Sequence, residues 1–245
     1  MFKAQTEWAK PEEFPDLRQA NTIAIDLETH DPDLKSKGSG SIVGRGKVVG
    51  IAIAVDGYSG YFPFDHKGGG NLEKNKVLEW FKDVCACPAD KIFHNAMYDV
   101  CWIRAMGIKI NGNIYDTMIA ASLVNENRFR FDLGSLGWDY VGRGKNEAEL
   151  REAANEWGVD PKADMWILPS MYVGNYAQRD AELTLDLWKA MQKEISDQDL
   201  GSIFELETDL FPCLIDMKFK GVRVDVESAH KLKDQLSTQE KQLLL

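Results

Sequence analysis

The chain has 245 residues, 44% hydrophobic and 28% charged, enough for one large or two small globular domains with a proper core. A formal net charge of −10 excludes a protein that grips nucleic acid with its whole surface, because phosphate contacts draw on Lys and Arg. It leaves room for one that meets nucleic acid through metal ions or a local basic patch.

The opening stretch MFKAQTEWAKPEEF has no apolar signal core. NTIAIDLETH (21–30) then reads as a buried strand whose apolar run ends in two acids, Asp26 and Glu28. The Gly-, Ser- and Lys-rich stretch 35–47 reads as a flexible loop. VVGIAIAV follows as a strand, and YSGYFPFD as its antiparallel neighbour after a turn at Asp56–Gly57. GGGN (68–71) breaks the chain. LEKNKVLEWFKDVC has helical spacing, with Leu72, Val77, Leu78, Trp80 and Phe81 as its apolar stripe. KIFHN is a short strand, AMYDVCWIRAMG a helix closed by Gly107, and GNIYDTMIAASLV another strand and helix. Strands in hairpin order, then alternating with helices, predict an α/β fold with a mixed sheet covered on both faces. From about 147 onward the chain reads as nearly all helical, with one long helix over YVGNYAQRDAELTLDLWKAMQKEI. Residues 200–245 read as a separate beginning that stops inside a helix, which suggests a fragment of a longer protein.

No apolar run approaches the ~20 residues of a membrane helix. The cysteines Cys85, Cys87, Cys101 and Cys213 and the four histidines show no zinc-ligand spacing. A cytoplasmic chain with reduced thiols and no membrane partner is expected.

Three pairs of residues carry chemistry. Residues i and i+2 of a strand share a face, so Asp26 and Glu28 aim two carboxylates at one point. A divalent cation would relieve their repulsion, although a strand end reaching solvent also fits. Asn95 and Asp99 share a helix face. Asn95 could be the N-cap, and Asp99, among Tyr98, Val100, Cys101 and Trp102, then needs a partner, either a metal or a basic residue. Tyr176 and Asp180 are likewise four apart on a helix and, alone, fit a core Tyr and a solvated Asp.

Together, Asp26-x-Glu28, Asn95-x-x-x-Asp99 and Tyr176-x-x-x-Asp180 resemble the three motifs of the DnaQ-like 3′–5′ exonucleases, in the DEDDy branch. IYDTMIAASLVNEN and FDLGSLGWDYVG resemble the proofreading domain of family A DNA polymerases, the bacterial polymerase I type, over roughly residues 20–195. LETDLFPCLIDMKFKGVRVD resembles the segment that opens the polymerase domain in that family.

The resemblance implies an RNase H-like three-layer fold, with a mixed five-stranded sheet flanked by helices and a helical C-terminal extension. It implies an exonuclease domain over 1–197 and the beginning of a polymerase domain over 198–245. The catalytic residues would be Asp26, Glu28, Asp99, Tyr176 and Asp180. The four carboxylates would hold two divalent cations, Mg²⁺ or Mn²⁺, ~4 Å apart. Asp26 would bridge both ions, Glu28 and Asp180 would complete the first, and Asp99 would act on the second through its water shell. Tyr176 would orient the attacking water rather than act as a base. The substrate would be a single-stranded or frayed DNA 3′ end, cleaved to 5′-mononucleotides, with the remainder of the polymerase chain as partner. Leu27, Thr29, His94, Asn95 and Tyr98 are expected at the terminal nucleotide, and Arg130 at a phosphate. Lys35, Lys37, Arg45 and Lys47 form either a phosphate-facing arm or a solvated loop. An RNase D-like exoribonuclease carries the same motif set. An inactive fold used as a nucleic-acid-binding scaffold is the reading from another class. The motif start at residue 26 leaves no space for an N-terminal flap-nuclease domain, an arrangement seen in phage polymerases of this family.

Overall fold

The β-branched and apolar run at residues 22–30 forms a nine-residue strand, β1 (Thr22–His30), at the centre of the sheet. The computed structural model describes residues 5–244; residues 1–4, the first of the stretch read as lacking a signal core, and Leu245 lie outside them. The other strands are β2 (Lys47–Val55), β3 (Tyr58–Pro63), β4 (Asp90–Phe93) and β5 (Ile114–Asp116), in the order β3-β2-β1-β4-β5. β1 runs antiparallel to β2 and parallel to β4, and β2 and β3 are antiparallel, so the sheet is mixed, as expected. The turn between β2 and β3 falls at Asp56–Gly57, where Gly57 takes φ +81° at no side-chain cost.

Two cores sandwich the sheet. On one face Ile23, Ile25 and Leu27 of β1 pack with Val77 and Phe81 of α3 (Lys74–Ala86) and Val100 and Ile103 of α4 (Ala96–Ala105). The residues between them along β1 face the other side, where Ala24, Ala52 and Ala54 lie under the long α8 (Gly174–Asp197). Ala177 and Ala181 of α8 are small as well, so helix and sheet approach closely here. Leu133 and Leu136 of α6 (Leu133–Val141) and Ala153 and Ala154 of α7 (Ala148–Trp157) complete this layer, together with α5 (Thr117–Val124). Asp26 and Glu28 share the parity of Ala24, so the fold turns both acids toward α8.

Two stretches depart from the sequence reading. Residues 34–47 are not a free loop. They form the short helices α1 (Leu34–Lys37) and α2 (Gly40–Val43), and three of their four cations are paired: Arg45 to Asp33 at 2.7 Å, Lys37 to Asp33 at 3.5 Å and Lys47 to Asp65 at 2.6 Å. Residues 158–173 are not helical but mostly turns, with 3₁₀ segments at Met165–Ile167 and Ser170–Tyr172. Gly158 ends α7 at φ +65°, and Pro169 pushes its predecessor into extended backbone. Beyond α8, α9 (Gly201–Lys220) buries Phe204, Phe211 and Ile215, whereas α10 (Val226–Leu243) buries no residue. All four cysteines are free thiols, three of them buried. Among the described residues no helix is long and apolar enough to cross a membrane.

One lysine is structural. Lys91 of β4 is fully buried, and its ammonium donates to the carbonyls of Cys87 at 2.6 Å, Ala89 at 2.7 Å and Asn111 at 2.9 Å. It ties the end of α3 to the loop that leads into β5. Lys91→Met would leave three carbonyls without this donor, two of them buried, and cost about 3 kcal/mol. Thermal denaturation should show a melting temperature lower by roughly 6–12 °C; an unchanged value would deny the lysine this role.

Candidate active site

Three elements deliver five side chains to one end of the sheet. β1 supplies Asp26, partly open to a cleft, and Glu28, 7% exposed. The first turn of α4 supplies Asp99, which accepts a hydrogen bond from the Leu27 amide at 3.0 Å. That bond ties the helix to the strand between the two strand acids. Among the described residues Asp99 has no ion-pair partner, so the basic-residue alternative for it falls. α8 supplies Tyr176 and Asp180, 8% and 2% exposed.

The start of α4 differs from the sequence reading. Asn95 stands at the N-cap position with φ +65°, but its side chain caps nothing. Asp116, at the end of β5, does this work: its carboxylate accepts from the amides of Asn95 at 3.0 Å, Ala96 at 2.7 Å and Met118 at 2.8 Å. One buried acid thus caps α5 and sets the angle at which α4 presents Asp99.

Packing these acids together is costly. Burial pushes the Asp26 carboxyl up to about 7, with the charge of Asp180 adding to it. Burial also raises Glu28 well above the usual range, followed by the charges of Asp26 and Asp180. Asp99 is raised by burial and by Asp26, against the opposing Leu27 hydrogen bond. Burial raises Asp180 too, although Lys145 and the Tyr176 hydroxyl pull the other way. Tyr176 is itself held well above 10 by burial and the surrounding carboxylates, so it keeps its proton. The four acids titrate as one coupled set.

A cation missed in the sequence lies among them. Lys145, in the loop between α6 and α7, forms an ion pair with Asp180 and donates to the Tyr176 hydroxyl at 3.2 Å. Burial works against its charge, but Asp180, Asp26 and Glu28 outweigh burial and hold the ammonium above the ordinary lysine range. Nothing in the stretch GRGK distinguishes this lysine from a solvated one. Among the described residues no group of three or more His, Cys, Asp or Glu side chains is arranged to hold a metal ion as it stands. The carboxylates are not closed on a common centre here, and Asp180 bonds the ammonium. The donor chemistry still fits a hard divalent ion. Glu28 Oε1 and Asp180 Oδ1 are buried without any hydrogen-bond partner, the position of oxygens that need a cation.

The cleft above the acids has a volume of about 860 Å³ and is lined by Asp26, His94, Asn95, Arg130, Trp138 and Lys145 among others. His94 bonds Thr117 at 2.8 Å, and burial lowers its imidazole to about 4, so it is neutral near pH 7. Arg130 is largely exposed and pairs with Asp132 at 3.2 Å. Thr29 and Tyr98 bond each other through their hydroxyls at 2.7 Å, beside the acids rather than in the cleft wall. Leu27 corrects the sequence reading: it is 5% exposed and belongs to the core under α4, so its side chain offers a nucleotide no surface. A second cavity of about 790 Å³, between residues 14–18 and α3, has no such convergence of acids.

Residues 7–196 match the 3′-5′ exonuclease family of the DNA polymerase A type. The "DNA-directed DNA polymerase" of Pseudomonas phage M6 is 36% identical over 231 residues, covering 91% of this chain and 34% of the relative. "DNA polymerase DpoZ" of Salmonella phage PMBT28 is 31% identical over 226 residues, covering 89% of this chain and 34% of the relative. The chain therefore spans about a third of the length of these curated relatives. In fold it is similar to Brucella melitensis NrnC with bound Mg²⁺, at a TM-score of 0.59 and 16% identity, covering 87% of this chain and 92% of that one.

The crowding of charge sets a pH dependence. Asp26 binds its proton more tightly in the fold than in the unfolded chain, so this group favours the metal-free fold at low pH. That contribution is complete below about pH 4 and is lost as pH rises through about 7. With divalent ions chelated, Asp26→Asn should raise the melting temperature by several degrees near pH 8 and by less near pH 4.5. An equal effect at both values would show that Asp26 is not held above its ordinary range.

Proposed function

We infer, since the chain belongs to the 3′-5′ exonuclease family of the DNA polymerase A type, that its cleft hydrolyses nucleic acid from the 3′ end and releases 5′-mononucleotides. The observation that carries this reading is the clustering of Asp26, Glu28, Asp99, Asp180 and Tyr176 beneath a cleft that Asp26 lines, with buried carboxylate oxygens left unpartnered. Asp26, Glu28, Asp99 and Asp180 are the residues that would hold two divalent ions, Mg²⁺ or Mn²⁺. Such ions supply the charge neutralisation and Lewis acidity that phosphodiester hydrolysis needs.

The chain's own side chains do the rest. Tyr176, protonated and fixed beside Asp180, is a hydrogen-bond donor that orients the attacking water rather than a base. His94 and Asn95 line the place of the terminal nucleotide. Arg130, Arg151 and Lys162 also line the cleft, paired with Asp132 and Glu147, and are the cations there that a phosphate would draw from those acids. Beside them Phe129, wholly exposed, and Trp138, 65% exposed, share a shallow groove with Arg128 and Arg130. Exposed rings next to guanidinium groups suit the stacking of unpaired bases without sequence preference.

A DNA substrate, and proofreading for a replicative or repair polymerase, is the form of the reading that the polymerase relatives support. On it, residues 1–197 are the nuclease domain and 198–245 the opening of a polymerase region, the remainder of which is the partner. The reading implies a bacterial or phage-infected cytoplasm. An RNase D-like enzyme would use the same residues, and matched DNA and RNA single strands distinguish the two: DNA should be degraded faster.

Asp26→Ala should lower mononucleotide release from single-stranded DNA by about 10²–10³-fold or more, with the circular dichroism spectrum retained. Tyr176→Phe should slow turnover about tenfold and leave divalent-ion binding in place. Wild-type turnover in Asp26→Ala would refute the assignment.

A further inference from the structure

Lys145 does not reach the acids by chance of a long side chain. Its backbone follows Gly142, which closes α6 at φ +77°, and Gly144, where a Cβ would meet the Trp138 indole nitrogen at 2.3 Å. The missing Cβ lets the loop close against the ring, and the lysine after it points inward. Its ammonium pairs with Asp180, donates to the Tyr176 hydroxyl and lies 5.1 Å from the centre of the Tyr176 ring. Asp180 is 2% exposed and its other oxygen is unpartnered, as is Glu28 Oε1. The ammonium is therefore the cation paired with the acid cluster in this structure, and it holds one oxygen of the carboxylate whose other oxygen is left for a divalent ion.

We propose that Lys145 is a resident counter-ion that competes with the divalent cation: the ammonium and the ion hold the same Asp180 carboxylate in turn. The inference rests on the nuclease reading of the site and adds a control on its metal affinity. With no ion bound, the lysine offsets the repulsion among Asp26, Glu28 and Asp180 and keeps β1 and α8 together. An ion that binds at the free oxygens meets the ammonium on the same carboxylate, and their repulsion drives the lysine off, so part of the ion's binding free energy goes into breaking the Lys145–Asp180 pair. The displaced side chain remains in the wall of the same cleft as Arg130, where a substrate phosphate offers it a new partner. Substrate would thereby draw the lysine off Asp180 and tighten the metal, and the metal would by reciprocity tighten the substrate.

The test is Mn²⁺ binding, followed by electron paramagnetic resonance without nucleic acid, together with thermal denaturation. Lys145→Met should bind Mn²⁺ about five- to tenfold more tightly than the wild type. Its melting temperature should be lower with chelator present, and its rise on adding Mn²⁺ larger. Lys162→Met removes a charge from the same cleft wall but not from Asp180, since Lys162 pairs with Glu147 at 3.1 Å. It should change the affinity less than twofold. Should Lys145→Met not fold, Lys145→Gln, which keeps a hydrogen-bond donor, is read the same way. Equal or weaker Mn²⁺ affinity in a folded Lys145 variant, or an equal gain in Lys162→Met, overturns the proposal. A wild type that binds no Mn²⁺ overturns the nuclease reading itself.

Discussion

Four carboxylates held within one another's field at the end of a strand are the constraint to which the rest of the structure answers. Each is raised above its ordinary range by burial, and the charge of Asp26 or Asp180 adds to this at Asp26, Glu28 and Asp99. A chain selected for stability alone would place apolar residues there. This one keeps the acids and surrounds them with compensation: an amide from β1, a phenol from α8 and one ammonium from the loop between α6 and α7. A site that is electrostatically unsatisfied when alone is one ready to take up positive charge.

The fold's contribution is to make that crowding rigid. The parity of β1 turns Asp26 and Glu28 toward α8, while Ile23, Ile25 and Leu27 anchor the strand in the opposite core. The small residues between sheet and α8 let the helix come close enough for Asp180 to meet the strand acids. Asp116 fixes the third element by capping α4 through two successive amides. The site is thus positioned by core packing and by carboxylates bonded to backbone amides, with Lys145 offsetting the repulsion that remains.

Local pattern made much of this legible in the sequence. The apolar run of β1, the Asp56–Gly57 turn and the spacings 26/28, 95/99 and 176/180 each state which residues share a face, and the mixed five-stranded sheet follows. The failures were cases where a distant partner decides. Asn95 has the chemistry of a cap, but a carboxylate 21 positions away takes the amide. Leu27 was set at the nucleotide by its place between two acids, although the alternation that pairs those acids sends its side chain to the other core. Lys35, Lys37, Arg45 and Lys47 read as a mobile basic loop because Asp33 and Asp65, which hold three of them, are visible as partners only after folding. Lys145 is the hardest case: a lysine in a glycine-rich connection announces nothing until Asp180 is beside it.

The bond from the Leu27 amide to Asp99 closes a loop of 72 positions, and α8, which carries the last acid, follows much later in the chain. Closing such loops costs entropy that only the finished sheet and its covering helix repay. A polypeptide emerging from the ribosome therefore passes through a long interval in which β1 and α4 exist but Tyr176 and Asp180 have not been made. On this architecture the acid cluster is completed late and in one step, when α8 closes over the sheet.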